Sequence, residues 1–293
     1  MTAAAPATGA QPTPGGVPAL FRGLFDDAAI FPPGDLPMAQ AVPAHRAHRA
    51  AWYADAVGSF LCGAGRLGEL AEVTGGPLRV GLVLPGGSTD LPSALKAAAP
   101  FELAGVELAA QGAREAVAAL AEHLPAGVPA VVELPRGEGA EGRAGLEAEL
   151  DVLAGSPYRV KFRTGGLAAG AFPTEAELAG LLAACAERGL PFKCTAGLHN
   201  AVRHTDPVTG FEHHGFLNVL LAALATDRAA AAEALRERSG TVLAGAVAAL
   251  TERQITTVRG AFLSFGTCSI AEPLHDLAAL GLLPPSTPHL EDR

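Results

Sequence analysis

Short apolar runs alternate along the chain with longer Ala- and Leu-rich segments of helical period. Eight of these runs have the length and composition of buried strands, and they cover residues 24–31, 59–62, 78–84, 103–108, 130–134, 158–162, 191–195 and 261–265. The segments between them predict helices, for example over 113–123, 141–153 and 270–282. Another helix is expected to begin at Thr174, because Glu177 completes a capping box, and to end at Arg188 before Gly189.

This alternation of strands and helices favours one parallel sheet closed on itself, a (β/α)8 TIM barrel. An open doubly wound sheet is the alternative, but no Gly-rich dinucleotide loop follows the first strand. The 293 residues fit a single barrel domain, which we expect over 19–293. Residues 1–18 are rich in Ala, Pro, Thr and Gly and are expected to form a disordered tail.

The spacing between the seventh and eighth strands is longer than the others. It predicts an extra helical insertion over about 198–255, with helices over 216–225 and 229–250. Loops of this length are usually functional or disordered, and the histidine and aromatic content argues against disorder.

Two lysines end neighbouring late strands, and each is followed by a turn of small residues: Lys161 before Thr164-Gly165-Gly166, and Lys193 before Ala196-Gly197. Lysine is costly to bury, although its side chain can also extend from a strand end to solvent. In a partly dry pocket it loses its proton more easily and becomes a nucleophile toward carbonyls. The pair therefore indicates imine chemistry, in which the charge of one lysine would lower the pKa of the other.

Active sites of such barrels lie at the carboxyl ends of the strands, so acidic and basic residues there are candidates. Glu107 and Glu133 end apolar strands and could act as acid or base or neutralise a lysine. Of Asp26 and Asp27, one is expected to face the barrel, and we assign Asp27 to the catalytic set. Arg163 shares a strand face with Lys161, where it could clamp an anion or form an ion pair with Glu133.

The strand-exit turns supply backbone N–H groups that suit an anion. The alternative is that their glycines only allow tight strand exits. The predicted substrate-binding set contains Arg163, Thr164, Gly165, Gly166, Thr195, Gly197, His199, Gly266 and Thr267.

The insertion also raises a metal hypothesis. His199, His204 and His214 could hold zinc or another divalent ion, although their spacing matches no fixed ligand signature. The other interpretation is a polar lid whose histidines form local hydrogen bonds, and we assign no metal or cofactor to the protein.

Composition narrows the classes of partner. The formal net charge is -9 and no basic run stands out, so nucleic-acid binding is not expected. The four cysteines are far apart, which favours a reducing cytoplasm over a disulfide framework. No run has the length of a membrane span, and the N-terminus lacks a signal-peptide pattern. Barrels of this size often dimerise, so a homodimer is kept as one alternative for the oligomeric state.

Four stretches in the same order resemble the class I aldolases, most closely the deoxyribose-phosphate aldolase family. They are residues 24–32, 160–165, 192–197 and 264–270. The resemblance implies a barrel, a Schiff-base lysine at Lys161, a second lysine at Lys193 and phosphate contacts near Gly266 and Thr267. The chain departs from that family's pattern at Arg163, at His199 and in the long insertion.

The sequence thus predicts a cytoplasmic lyase that forms a lysine Schiff base with a small anionic carbonyl compound. Its catalytic residues would be Lys161, Lys193, Glu107 and Asp27. The alternatives are a metal-dependent hydrolase or lyase that uses the histidine-bearing insertion, and a barrel without catalytic activity that binds a metabolite. The sequence leaves open the substrate, the direction of reaction and the choice of nucleophilic lysine.

Overall fold

The computed structural model describes residues 16–137 and 139–285. Eight parallel strands form a closed barrel in the order β1-β10-β7-β6-β5-β4-β3-β2. The barrel strands are β1 (Phe25–Asp27), β2 (Val57–Gly63), β3 (Arg79–Leu84), β4 (Glu102–Ala109), β5 (Ala130–Glu133), β6 (Arg159–Arg163), β7 (Phe192–Thr195) and β10 (Phe262–Thr267). The predicted (β/α)8 TIM barrel is confirmed, with strand boundaries that shift by a few residues from those predicted.

Helices follow the strands and form the outer layer. They are α1 (Met38–Ala50), α2 (Leu67–Val73), α3 (Leu91–Ala98), α4 (Ala113–His123), α5 (Gly139–Ala154), α6 (Glu175–Glu187) and, after β10, α11 (Ala271–Ala279). The capping box predicted for α6 is present: Thr174 accepts a hydrogen bond from the Glu177 amide, and the Glu177 carboxylate accepts one from the Thr174 amide. These bonds satisfy amides that the first helical turn leaves without partners.

The segment between β7 and β10 differs from the prediction. It contains a two-stranded hairpin, β8 (His204–Thr205) with β9 (Glu212–His213), and four helices: α7 (Phe216–Ala222), α8 (Arg228–Arg236), α9 (Gly240–Ala248) and α10 (Glu252–Ala261). The helix predicted over 229–250 is wrong because Ser239 caps a new helix through the Val242 amide. Thr251 and Gln254 form a further capping box that starts α10.

The apolar core lies between the strands and the helices. Helix α7 belongs to this layer, since Phe216 stacks on Phe265 at 5.3 Å between ring centroids and meets Phe25 edge-on at 5.6 Å. Burying a ring of this size contributes roughly 1.5–3 kcal/mol. Part of the segment after β7 therefore completes the outer wall of the barrel.

The ordered chain begins earlier than predicted. Val17 is 2% exposed and packs in the core, although the sequence placed it in a disordered tail. Residues 1–15 of that predicted tail lie outside the described part of the chain. No helix in the described ranges is both long enough and apolar enough to cross a bilayer.

Candidate functional site

Lys161 and Lys193 both point into the barrel. They are partners in register on β6 and β7, and they are 3% and 5% exposed. Both ammonium groups contact Glu107 on β4, a strand that neighbours neither β6 nor β7, which requires both lysine side chains to lie inside the closed sheet. The interiors of such barrels are usually filled by branched apolar residues, so buried charges at this position single out the region as a candidate site.

Glu107 on β4 lies between the two lysines. Its Oε2 accepts a hydrogen bond from Lys161 Nζ at 2.6 Å, and its Oε1 contacts Lys193 Nζ. Lys161 also contacts Glu133 Oε2 at 2.9 Å, and Lys193 donates to Asp26 Oδ2 at 2.6 Å. Glu133, Lys161, Glu107, Lys193 and Asp26 thus form one continuous buried ion-pair network across the barrel.

Arg163 extends the network to the surface. Its Nη1 donates to Glu133 Oε1 at 3.2 Å, and its side chain is 54% exposed. The ion pair with Glu133 that the sequence offered as one interpretation is present. With Arg163 included, three cationic side chains face three carboxylates, so the network carries no net charge. Balance of this kind matters because an unpaired buried charge costs several kcal/mol.

Asp26 is the acidic residue of β1 that reaches the lysines. Its Oδ1 accepts hydrogen bonds from the Ser59 amide at 2.8 Å and the Ser59 hydroxyl at 3.0 Å, and its Oδ2 accepts one from Ser264 at 2.5 Å. Gly58 is needed for this arrangement, because a Cβ there would lie 2.2 Å from Asp26 Oδ1.

The structure places the Asp27 carboxylate, which the sequence analysis assigned to the catalytic set, outside the network that contains the two lysines. Side chains alternate along a strand, so Asp27 points to the outer helices, where Oδ2 contacts His45 Nδ1 of α1 at 2.9 Å. Its other oxygen accepts a hydrogen bond from the Ala29 amide at 3.1 Å. Asp27 therefore anchors α1 and the start of the following loop, and no part of its carboxylate joins the network.

The electrostatics of the network fix two protonation states. Burial alone would raise the pKa of Glu107, but the charges and hydrogen bonds of Lys161 and Lys193 lower it to about 2. Burial alone would lower the pKa of Lys193, but Asp26 and Glu107 raise it above its usual range. Glu107 is a carboxylate and Lys193 an ammonium at neutral pH. The Glu107 carboxylate lies between the two lysines. The structure therefore does not support the prediction that the charge of one lysine directly lowers the pKa of the other.

Lysine is scarce in this chain, a signal that the sequence analysis missed. The chain has three lysines, Lys96, Lys161 and Lys193, among 21 Lys and Arg residues. Lys96 is exposed on α3, whereas the other two lie inside the barrel. Arginine cannot form an imine and stays charged. In a chain that uses mostly arginine, the presence of lysine at both of these positions inside the barrel points to amine chemistry there.

Two cavities open toward the network from opposite ends of the barrel. The upper cavity, at the carboxyl ends of β4, β5 and β6, has a volume of about 200 Å³, and Ala109, Glu133, Arg163 and Gly165 are among its lining residues. The lower cavity, at the amino ends of the strands, has about 530 Å³, and Asp26, Glu107, Lys193, Val131 and Arg159 help to line it. Glu133, the ion-pair partner of Lys161, lines the upper cavity, whereas Lys193 itself lines the lower cavity.

The predicted anion-binding turns have varied environments. Gly165 lines the upper cavity, and a Cβ there would lie 2.8 Å from the Gly197 Cα, so these glycines let two strand exits approach closely. The Thr164 hydroxyl is buried and donates to the Ala196 carbonyl. Thr267 is 1% exposed, and its hydroxyl donates to the Ser269 carbonyl at 3.0 Å. The hydroxyls of both threonines are thus engaged within the protein.

Three further residues of the predicted substrate-binding set have defined neighbours. Gly166 packs against Ala171, because a Cβ at Gly166 would lie 2.8 Å from the Ala171 Cβ. Gly266 faces the inside of the barrel, where a Cβ would approach Leu61 at 3.3 Å. Thr195 ends β7 opposite Arg163 of β6 and is partly exposed. Of the whole set, Arg163 and Gly165 are the two that line the upper cavity.

The histidines of the insertion have separate partners. His199 Nδ1 contacts Glu272 Oε2 at 2.9 Å, and His204 Nδ1 contacts the Val202 carbonyl at 3.2 Å. His214 is fully buried and lies 2.8 Å from the Pro173 carbonyl through Nε2. Within residues 16–137 and 139–285, no group of three His, Cys, Asp or Glu side chains is placed to hold a metal ion. The predicted metal set does not converge.

Comparison with protein-family models gives no match to this chain, and comparison with curated proteins gives none that is significant. The fold and the geometry therefore define the class: a TIM barrel with two lysines and three carboxylates paired in its interior.

Proposed function

We propose that the protein is a class I aldolase-like lyase in which Lys161 forms a Schiff base with a small anionic carbonyl compound. The observation that carries the proposal is the position of Glu107, held between Lys161 and Lys193 inside the barrel. Fold alone does not specify function, so the proposal rests on this arrangement of side chains.

Charge conservation favours imine formation at Lys161. Condensation of an ammonium with a carbonyl gives an iminium and water, and the positive charge on nitrogen is the same before and after. Glu107 and Glu133, which stabilise the Lys161 ammonium at 2.6 and 2.9 Å, would stabilise the iminium in the same way. The iminium then withdraws electrons from the neighbouring carbon–carbon bond. This lowers the activation barrier for cleavage or formation of that bond.

The attacking amine must first lose its proton to a nearby base. Glu107 is a poor acceptor because its pKa is about 2. Glu133 contacts Lys161, is less buried than Glu107 and lines the upper cavity, so it is the base that we assign. Proton transfer from Lys161 to Glu133 leaves the net charge of the network unchanged.

Lys193 and Asp26 have a positioning role in this proposal. The pKa of Lys193 is raised by two carboxylates that are both buried, Asp26 and Glu107, so we do not assign Lys193 as the nucleophile. It holds Glu107 in the orientation that Lys161 requires. Arg163 at the rim would bind the anionic group of the substrate, and the cavity of about 200 Å³ suits a compound of a few carbon atoms.

The described cysteines are all free, as a reducing compartment would keep them. We include a cytoplasmic location in the proposal on this basis.

Borohydride trapping tests the proposal directly. The protein would be incubated with small aldehydes and 2-oxo acids, reduced, digested and analysed by mass spectrometry. We expect a carbonyl-dependent adduct on Lys161 that is lost in Lys161→Met and retained in Lys96→Met, the exposed control. An adduct on Lys193 alone would reverse the roles of the lysines. No adduct on either buried lysine, with folded protein, would contradict the proposal and favour a barrel that only binds its ligand.

A further inference from the structure

A second group of reactive side chains lies at the carboxyl end of β10, outside the buried ion-pair network. Cys268 Sγ lies 3.6 Å from His199 Nδ1 and 3.9 Å from His199 Nε2. His199 follows β7, whereas Cys268 directly follows β10, so the pairing of these adjacent strands brings the thiol to the imidazole. Glu272, in the first turn of α11, contacts His199 Nδ1 at 2.9 Å and completes the group.

Cys268 differs from the other three cysteines of the chain in its accessibility. Cys62, Cys185 and Cys194 are buried, whereas Cys268 is partly exposed. Burial raises the pKa of Cys62 and of Cys185 to about 12, and it raises the pKa of Cys194 as well. These three thiols stay protonated and shielded at neutral pH, so any selective thiol chemistry falls to Cys268.

The contacts of His199 with Glu272 and Cys268 favour its charged imidazolium form. Burial alone would lower its pKa, but hydrogen bonds with Cys268 and Glu272 and their charges raise it to about 10. His213 is a further titratable group that interacts with His199: burial lowers the pKa of His213, and the charges of His204 and His199 lower it further. Gly34, in the loop after β1, packs against Cys268, because a Cβ at Gly34 would lie 2.8 Å from the Cys268 Cβ. The Cys268 thiol therefore lies next to an imidazole whose charged form is favoured.

We propose that Cys268 is a thiol-exchange site for small disulfides, in which His199 stabilises the thiolate and Glu272 positions His199. An imidazolium next to a thiol favours the thiolate, which is the nucleophilic form. The Cys268 thiolate attacks one sulfur of the disulfide, a new S–S bond forms and the old one breaks. The leaving thiolate takes a proton from solvent. Cys268 is oxidised to a mixed disulfide, and half of the small disulfide is reduced.

This site is independent of the proposed lysine chemistry, because none of its three residues contacts the buried ion-pair network through a hydrogen bond or ion pair found in the described chain. Its test uses an aromatic disulfide, 5,5′-dithiobis(2-nitrobenzoate), whose released thiolate is coloured. We expect the native protein to release one equivalent rapidly at pH 6–7, and the denatured protein to release four.

Three variants locate the reaction and its cause. Cys268→Ser should abolish the rapid equivalent. His199→Gln should slow it at least tenfold at pH 6–7, because the imidazole beside the thiol is lost. Glu272→Gln should give an intermediate rate. Circular dichroism would establish that each variant is folded.

Two outcomes would overturn the proposal. One is a rapid equivalent in folded Cys268→Ser, which would place the reactive thiol elsewhere. The other is an unchanged rate and pH profile in folded His199→Gln, which would show that the imidazole has no effect on the thiol.

Discussion

Lys161 and Lys193 lie directly opposite each other on neighbouring strands, and each binds a different oxygen of the Glu107 carboxylate. Two ammonium groups so close together would repel each other strongly in a dry interior. Glu107 reduces that repulsion, and Asp26, Glu133 and Arg163 together bring the network to no net charge. The stability of the barrel interior and the proposed chemistry therefore depend on the same carboxylate.

Replacing Glu107 with Gln should destabilise the protein by roughly 3–5 kcal/mol, the usual cost of removing one partner from a buried ion pair. The neutral amide would leave two buried ammonium groups facing each other. Urea denaturation at pH 7 measures the change in the free energy of unfolding. Glu122→Gln is the control, because Glu122 is exposed on α4, and it should change stability by less than about 0.5 kcal/mol. If Glu107→Gln lowered the free energy of unfolding by as little as the control does, the stabilising role of Glu107 in the ion-pair network would be contradicted.

Acid should destabilise the protein through His214. This histidine is fully buried beside Arg203, and burial, with the charge of Arg203, lowers its pKa to about 4 from 6.5. The unfolded chain binds a proton at His214 as the pH falls below 6.5, whereas the folded chain does not until about pH 4. Stability that is present above pH 6.5 is therefore lost between pH 6.5 and 4, by roughly 2–4 kcal/mol.

The free energy of unfolding, measured by urea at several pH values, tests this. His214→Gln should weaken the pH dependence of the free energy of unfolding between pH 6.5 and 4. His123→Gln, which replaces a partly exposed side chain on α4, is the control and should leave that dependence as in the wild type. Parallel curves for His214→Gln and the wild type would show that His214 titrates normally in the folded protein.

Asp26 and Asp27 should respond differently to the same substitution. Asp26→Asn removes the carboxylate that binds Lys193, so we expect a strong loss of borohydride-trapped adduct as well as reduced stability. Asp27→Asn breaks the contact with His45 on the outside of the barrel, so we expect lower stability but retained trapping when the protein is folded. Equal loss of trapping in both folded variants would contradict the assignment of only Asp26 to the site.

The barrel fold and many residues of the candidate site could be predicted from the sequence, but the directions in which individual side chains point could not. Periodic apolar runs suffice to predict eight strands, and they place Lys161 and Lys193 on neighbouring late strands, although two further strand residues follow each lysine. The choice between Asp26 and Asp27 depends on the register of a three-residue strand, which adjacent identical residues do not reveal. The role of Glu107 depends on the closure of the sheet, which brings β4 within reach of β6 and β7.

The insertion shows a different limit. Ala-rich segments have little contrast between faces, so the break between α8 and α9 was missed even though Ser239 is a suitable cap. Thr251 and Gln254 carry the capping-box signature that the sequence analysis used at Thr174, and they could have located α10. The partners of His199 and His214 come from α11 and from the loop before α6, which no local pattern indicates.

The two cavities make the route of the substrate testable with a matched pair of variants. Ala109 lines the upper cavity and Val131 the lower one. Ala109→Phe should fill the space beside Glu133 and Arg163, whereas Val131→Phe should fill the space below the network. If the substrate reaches Lys161 from the carboxyl ends of the strands, Ala109→Phe should reduce the trapping rate at least tenfold and Val131→Phe should change it less than twofold.

Thermal unfolding of both variants is the control, because overpacking alone can cost about 1–3 kcal/mol. The opposite pattern, with trapping blocked only by Val131→Phe, would place substrate entry at the amino ends of the strands. That result would favour Lys193 as the nucleophile, since Lys193 lines the lower cavity together with Asp26 and Glu107. It would also assign the anionic group of the substrate to Arg159, which lines the same cavity, instead of Arg163.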